Sequence, residues 1–366
     1  MLEVQRYLQK YRSPAKLTEE FNIKIYHHPT LPIFGAKYNQ IDSPKYHPIV
    51  RECRGIVLED ETYDLVAKGF TRFFNYGECE EERNKFDWSN FTVTEKVDGS
   101  LILLYFYQDH WRVNTSGSFA DGQAGIYNGT WEKLFAEATK TSVTHNVISN
   151  LNCNYTYIFE LCSLFTQVVQ IHPTPKAIFL GAYDILNNYE LTFEEVKEEA
   201  NRLGISKILV PTYNMKSIED IYSFLEEKEK EDKTYEGVVI RDGHNIRFKI
   251  KTEAYVRLHH MCDNGNIANP KHFVPFLVKG EKDELVTYFP TIKPLLDEAE
   301  IKIQEEYKNL VDIWGECGKI EIQKDFALSI LKRTRFAGIL FTLRKTKGLG
   351  ATVEDLMALW MESYQL

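Results

Sequence analysis

The chain has 366 residues, of which 43% are hydrophobic and 27% charged, with a formal net charge of −9 at pH 7. That length allows two domains, or one large domain with an extension, and the balance is that of an ordinary globular protein. No apolar run is long enough to span a membrane and the first residues lack a signal-peptide core, so neither a membrane protein nor a secreted one is expected.

In chain order, residues 1 to about 50 read as a short helix followed by a loop-rich stretch containing Pro29, Pro32, Pro44 and Pro48. Residues 51 to 75 read as β structure: Gly55 to Glu59, an acidic turn at Asp60-Glu61, then Leu65 to Lys68, leading into Arg72-Phe73-Phe74-Asn75-Tyr76. Next come two apolar, β-branched or aromatic runs, Phe91 to Thr94 and Leu101 to Tyr107, around Glu95-Lys96-Val97-Asp98-Gly99-Ser100. Run, turn and run predict a hairpin with Asp98-Gly99 as the turn signal. Lys96 would then stand at the mouth of a sheet, beside a glycine that lets a ligand approach the backbone. Taken alone, the segment reads equally well as a polar turn.

Trp111 to Ser118 is a further strand candidate, and Trp131, Leu134 and Phe135 have helical spacing within 129–150. Tyr155 to Leu161 and Ala177 to Asp184 are strand-like, whereas 191–203 and 217–231 read as surface helices. Tyr235 to Arg241 and Asn245 to Lys251 form a strand pair around Asp242-Gly243. From about residue 256 strand patterns nearly vanish and helix formers dominate. The expected class is α+β: a mixed or antiparallel sheet domain over 1–255, then an all-helical domain over 256–366.

The six cysteines show no CxxC pair and no partnered histidine spacing, which fits reduced thiols in the cytoplasm. A negative net charge is awkward for a nucleic-acid partner, whose phosphates are met by clustered cations. Local fields steer binding, however, and the acidic run Glu226 to Asp232 carries part of that negative charge.

Several groups carry chemistry. On a strand over 246–251, Ile246, Phe248 and Ile250 take one face and Arg247, Lys249 and Lys251 the other. Same-face neighbours at i and i+2 lie roughly 7 Å apart. Three cations so placed repel unless the face is solvated or meets an anion, such as a polyphosphate. Glu160 and Glu236 lie in or at the end of apolar strands, where a carboxylate is edge-exposed or meets a cation, a ribose hydroxyl or a metal. Magnesium is held by one or two carboxylates plus phosphate oxygens and water, so both are metal-site candidates. Arg51-Glu52-Cys53-Arg54-Gly55 offers two guanidinium forks, or else an internal salt bridge through Glu52. Phe73-Phe74 suits either a stacked purine or the core.

In this order the pieces resemble the covalent nucleotidyltransferase superfamily of ATP-dependent ligases and capping enzymes. Lys96-Val97-Asp98-Gly99 matches its Lys-x-Asp-Gly motif, Phe159-Glu160 its carboxylate strand, Glu236-Gly237-Val238-Val239 its next motif, and Lys249-Ile250-Lys251 its Lys-x-Lys strand. Glu52-Cys53-Arg54-Gly55-Ile56, Phe73-Phe74-Asn75 and Phe248 to Lys251 followed by Tyr255-Val256 and Leu258-His259 are similar to RNA ligase 1 of the T-even bacteriophage type. The resemblance covers roughly residues 50–260. Two departures stand out: Arg72 replaces a lysine, which exchanges a point charge for a fork, and Ser116 replaces a cation before Gly117-Ser118. The helical tail also replaces the OB domain that DNA ligases and capping enzymes carry.

The resemblance implies an ATP-dependent RNA ligase: Lys96 attacks the α-phosphate of ATP, AMP passes to an RNA 5′-phosphate, and a 3′-hydroxyl displaces it. Lys96, Glu160, Glu236, Lys249 and Lys251 are the implied catalytic residues. Arg54, Arg72, Phe74, Glu95 and Gly99 would join them in binding ATP, with Phe74 flanking the nucleoside. Mg2+, for which Mn2+ may substitute, would be held by Glu160 and Glu236, with Asp283 and Glu284 at a second, C-terminal metal. A lysine of ordinary pKa near 10.4 is only ~0.04% neutral at pH 7. Lys249, Lys251, Arg54 and magnesium are therefore expected to lower the pKa of Lys96. The implied partner is single-stranded or broken stem-loop RNA, as in tRNA repair, with neither a membrane nor a protein partner; the implied compartment is the cytoplasm, that of the host if phage-encoded. A GTP-using or DNA-joining relative, or an RNA-binding module with a degenerate site, are the alternatives.

Overall fold

The computed structural model describes residues 1–262 and 292–352, apart from 123, 125, 126, 141, 142 and 144, together with isolated positions elsewhere. The chain divides into two compact units, Met1–Arg257 and Leu258–Leu366.

The strands of the first unit are β1 (Ile23–His27), β2 (Ile33–Tyr38), β3 (Arg54–Glu59), β4 (Leu65–Ala67), β5 (Phe74–Asn75), β6 (Phe91–Glu95) and β7 (Ser100–Tyr107). They continue with β8 (His110–Thr115), β9 (Tyr155–Cys162), β10 (Lys176–Asp184), β11 (Tyr189–Glu190), β12 (Thr212–Tyr213), β13 (Gly237–Asp242) and β14 (Arg247–Lys251). They make three sheets, ordered β1-β2-β3-β4, β11-β10-β9-β7-β8 and β12-β6-β13-β14-β5. Pairing is antiparallel except between β14 and β5. The α+β class expected from the sequence is therefore observed.

Burial explains the layering. β9 lies between β10 and β7, and its Thr156, Tyr157, Ile158 and Phe159 are all buried, as befits a strand covered on both faces. Tyr157 and Phe159 pack with Ile102, Leu104, Phe179 and with Val196, Ala200 and Leu203 of the helix Phe193–Leu203. On the opposite face Leu103, Tyr105 and Ile158 meet Ile33, Val57, Val66 and Phe70, which joins the first sheet to the second. In the third sheet Phe248, Ile250, Val238 and Ile240 pack against Ile221 and Leu225 of the helix Ile218–Glu231. The apolar face predicted for β14 is thus the buried one.

The predicted hairpin around Lys96 is not formed. β6 belongs to the third sheet and β7 to the second, so Lys96 to Gly99 is a crossover between sheets. The physical reason is long-range. Asp98 is 3% exposed, and its carboxylate accepts the backbone N–H of Val169 at 2.9 Å and of Gln170 at 2.6 Å and the Tyr255 hydroxyl at 3.0 Å. Gly99 is pressed against β9, where an added Cβ would lie 2.6 Å from the Leu161 carbonyl oxygen. The Asp-Gly pair thus serves anchoring and close approach, not a tight turn.

Two other expectations change. The stretch read as loops before residue 50 holds β1, β2 and the helices Ala15–Phe21 and Pro48–Glu52, after the expected first helix, Glu3–Tyr11. The helix expected over 129–150 is two, Trp131–Thr139 and His145–Asn150. The described cysteines whose pairing is resolved, Cys53, Cys79, Cys153, Cys162 and Cys317, are free thiols.

The described elements of the second unit are helical. Lys293–Cys317, Gln323–Ile330 and Ala337–Lys347 bury a cluster that includes Leu310, Ile313, Trp314, Phe326, Ile330, Leu340 and Leu343. No described helix is long and apolar enough to cross a membrane.

Candidate active site

The third sheet brings Lys96, Glu236, Lys249 and Lys251 together through register. Val238 faces Glu95 and Gly237 faces Lys251, so Lys96 and Lys251 flank the start of β13 from either side. The pairing continues one step past β6, with the Lys96 N–H donating to the Gly237 carbonyl at 2.9 Å. Gly237 has φ 143°, and a Cβ there would lie 2.1 Å from the Ile250 carbonyl oxygen, so this position needs glycine.

Glu236, just before β13, is 4% exposed and carries two ion pairs. Lys96 Nζ donates to its Oε2 at 3.0 Å, and Lys251 Nζ lies 2.8 Å from its Oε1. Burial alone would raise the carboxyl pKa of Glu236, but Lys96 and Lys251 outweigh it and hold it below the usual range. Burial likewise pushes the Lys96 ammonium down, and Glu236 and Glu160 overcome that and raise it. The expected lowering at Lys96 is therefore reversed in the free protein. Lys251 is also bonded to Glu236, and what Lys96 itself meets is that carboxylate.

On β14 the lowered lysine is Lys249. Burial first, then Lys251, Lys96 and Arg54, bring it to about 8. Among the described residues no carboxylate pairs with it. The third cation of the strand, Arg247, is buried and bonded to Glu190, which also pairs with Arg241. The charged face of β14 is thus turned inward and only part-neutralised, not a solvated outer face.

A cleft is lined by Lys96, Glu95 and Val239 of the third sheet, Leu101, Glu160 and Leu180 of the second, and Arg54 of the first, with Phe70 and Phe73. Glu160, on β9, sits across from Leu101 and Ile178. Burial raises its carboxyl pKa to about 7, with Lys96 and Arg54 acting the other way. It pairs with no described cation. Arg54 stacks over the Phe73 ring at 5.1 Å, and its Nη1 is buried without a hydrogen-bond partner. A buried guanidinium nitrogen with no protein partner, in a cleft, is suited to an anion.

The remaining expected residues divide. Glu95 lines the cleft and accepts the Tyr213 hydroxyl at 2.9 Å. Arg72 lines a neighbouring cavity with Arg51, Lys68 and Arg247, stacks on Tyr38 at 4.1 Å, and has a buried, unpartnered Nη1. Phe74 is not a cleft residue: it is 2% exposed, beside Tyr46 and Arg51. The ring in the cleft is Phe73, because β5 pairs Phe74 with Phe248 and turns it inward. Glu52 forms no bridge within its own segment; it caps the first helix by accepting the N–H groups of Glu3 at 3.2 Å and Val4 at 2.8 Å. Asp283 and Glu284 lie outside the described residues.

For a divalent cation, the chemistry of the donors favours Glu160. It faces the cleft without a partner, whereas both oxygens of Glu236 are engaged by lysines. The described residues contain no cluster of three or more His, Cys, Asp or Glu that could hold a metal alone. A site of one carboxylate completed by phosphate oxygens and water remains consistent with this.

Comparison with known proteins matches residues 52–255, more than half of the chain, to the model of a family described as RNA ligase. A protein of the Autographa californica nuclear polyhedrosis virus, "Putative bifunctional polynucleotide kinase/RNA ligase", is 26% identical over 337 residues. That alignment covers 85% of this chain but 46% of the viral protein, so the chain spans about half its length. The "RNA ligase" of Rhodothermus phage RM378 is 24% identical over 333 residues, covering 75% of this chain and 72% of that protein. A solved archaeal ATP-dependent RNA ligase aligns at a TM-score of 0.49 with 12% identity, over 92% of this chain and 80% of that one.

Proposed function

The chain belongs to the RNA ligase family, and on that premise we propose that it joins RNA 5′-phosphate and 3′-hydroxyl ends with ATP, through AMP carried on Lys96. The observation that carries this reading is the placement of Lys96 in a cleft with an unpaired carboxylate, Glu160, and an unpaired guanidinium nitrogen of Arg54. A lysine nucleophile, a cation-binding carboxylate and phosphate-binding cations are what adenylyl transfer requires.

The nitrogen lone pair of Lys96 attacks the α-phosphorus, the bond to the bridging oxygen breaks, and pyrophosphate leaves. The ammonium must first give up a proton, and Glu236 Oε2 is the acceptor within reach at 3.0 Å. Arg54, Lys249 and Arg72 are proposed to hold the phosphates, Gly99 and Glu95 to line the nucleotide's approach, and Lys251 to fix Glu236. Magnesium, or manganese in its place, would be held by Glu160 with phosphate oxygens and would neutralise charge on the transferring group. Broken single-stranded or stem-loop RNA, as in tRNA repair, is the proposed substrate, the helical unit its recognition surface and the cytoplasm its setting.

The test is incubation with α-labelled ATP or GTP and magnesium, followed by a denaturing gel. Label from ATP should stay on the protein, be acid-labile and vanish in Lys96→Ala. Label from GTP alone would point to capping chemistry, and no label would end the ligase reading. A 5′-phosphorylated single-stranded RNA should be circularised.

A further inference from the structure

Three cations stand in register across the first sheet. Lys24 of β1 is the cross-strand partner of Lys37 of β2, and Lys37 is the partner of Arg54 of β3. Adjacent strands are ~4.8 Å apart, so the row spans about 10 Å. Like charges directly opposite one another on neighbouring strands repel. Burial pushes the Lys37 ammonium below the usual lysine range, and Lys24 and Arg54 push it further.

Among the described residues no carboxylate forms an ion pair with any of the three. Other inward-facing cations of this unit do meet carboxylates, Arg247 and Arg241 at Glu190 and Lys251 and Lys96 at Glu236. Lys37 also lies over Gly117, where an added Cβ would be 3.1 Å from its Nζ, so the chain leaves room for this ammonium. The row runs outward: Arg54 lines the cleft of Lys96, Arg54 and Lys37 are both half-buried, and Lys24 is exposed.

We propose that Arg54, Lys37 and Lys24 form a track for the sugar-phosphate backbone of the RNA strand whose end enters the Lys96 cleft. The inference rests on the reading of the chain as an RNA ligase. The phosphates of ATP share the same chemistry, but a mononucleotide attached at Lys96 occupies the cleft, whereas the row leads out of it to an exposed lysine. A polymer fits that direction.

Lys24→Ala, Lys37→Ala, Lys37→Arg and the double alanine variant test this, with Lys197→Ala as a surface control. Binding of a fluorescent 5′-phosphorylated single-stranded RNA is followed by anisotropy over a range of salt, alongside label uptake from α-labelled ATP. Each lost phosphate contact on a single strand should reduce the slope of log affinity against log salt by about 0.7. The double variant should therefore lose about 1.4, Lys37→Arg should keep the slope, and label uptake should stay at the wild-type level. Unchanged slopes, or label uptake falling together with RNA affinity, would overturn the track. If Lys37→Ala unfolds, the exposed Lys24→Ala decides by the same slope. A wild-type protein that takes no label yet loses RNA affinity in these variants would refute the ligase reading while supporting the track.

Discussion

Glu236→Gln probes the charge balance at Lys96, the proposed nucleophile, directly. The carboxylate is 4% exposed and is shared by Lys96 at 3.0 Å and Lys251 at 2.8 Å. Removing one partner of a buried ion pair costs about 3–5 kcal/mol. Here two ammonium groups lose one counter-ion, so urea unfolding at pH 7 should show a loss of at least ~3 kcal/mol. The sign of the pH dependence follows from the depressed carboxyl pKa of Glu236. Its contribution is present above the unfolded carboxyl value, ~4.3, and is lost as pH falls through the folded value. The gap between wild type and variant should therefore close in acid. The second readout is Lys96 itself. Without Glu236 the main influence raising its pKa is gone, while burial still pushes it down. Lys96 of the free variant should then react faster than in wild type with an amine-selective acylating reagent at pH 8, read by peptide mass spectrometry. Adenylation by ATP should fall. Unchanged Lys96 reactivity together with a stability loss under ~1 kcal/mol would refute a buried, shared carboxylate.

Three other substitutions separate the remaining roles. Gly99→Ala should cost roughly 1–3 kcal/mol by urea unfolding and remove adenylation, because its Cβ meets the Leu161 carbonyl oxygen at 2.6 Å and backbone cannot yield cheaply. Lys249→Met should raise Tm at pH 7, since burial and like charges hold this lysine near about 8; the gain should disappear above ~pH 10.4, where the unfolded lysine is also neutral, and adenylation should be lost. A lower Tm would mean that Lys249 has a counter-charge in the free protein. Glu160→Gln should flatten the pH dependence of stability. The wild-type carboxyl is raised to about 7, so its contribution is full below ~4.3 and is lost as pH rises through about 7. Parallel Tm curves for wild type and variant across that window would contradict the raised pKa.

Much of this was legible where local pattern and tertiary structure agree. Asp242-Gly243 closes the β13–β14 pair as its sequence predicts, with Asp242 Oδ1 accepting the N–H groups of His244 at 2.9 Å and Ile246 at 2.8 Å. The alternation over 246–251 correctly assigns the buried and charged faces. Asp98-Gly99 carries the same local signal and misleads, because what fixes it lies far along the chain, at Val169, Gln170 and Leu161. The period-two run Ile23-Lys24-Ile25 was present but was masked by the prolines that follow. Choosing Phe73 over Phe74 required the parallel pairing of a two-residue strand, which no periodicity reports. The direction of the shift at Lys96 depends on its contact with Glu236, 140 residues further along the chain, which sequence spacing does not report.

The charges around Lys96 separate into two sets with different work. Lys96 and Lys251 share the Glu236 carboxylate within the third sheet, which fixes the position of Lys96 and keeps it protonated in the free protein. Glu160, Lys249 and Arg54 come from three different sheets and have no ion-pair partner among the described residues. Unpartnered buried charges are costly unless a ligand of opposite sign completes them. Their mixed signs, one carboxylate against two cations, suit a ligand that brings phosphate anions and a divalent cation together. Since that ligand must bridge three sheets, its binding should tighten their packing against one another. The matched set can position Lys96 before any substrate arrives, but only the unmatched set registers that the substrate is there.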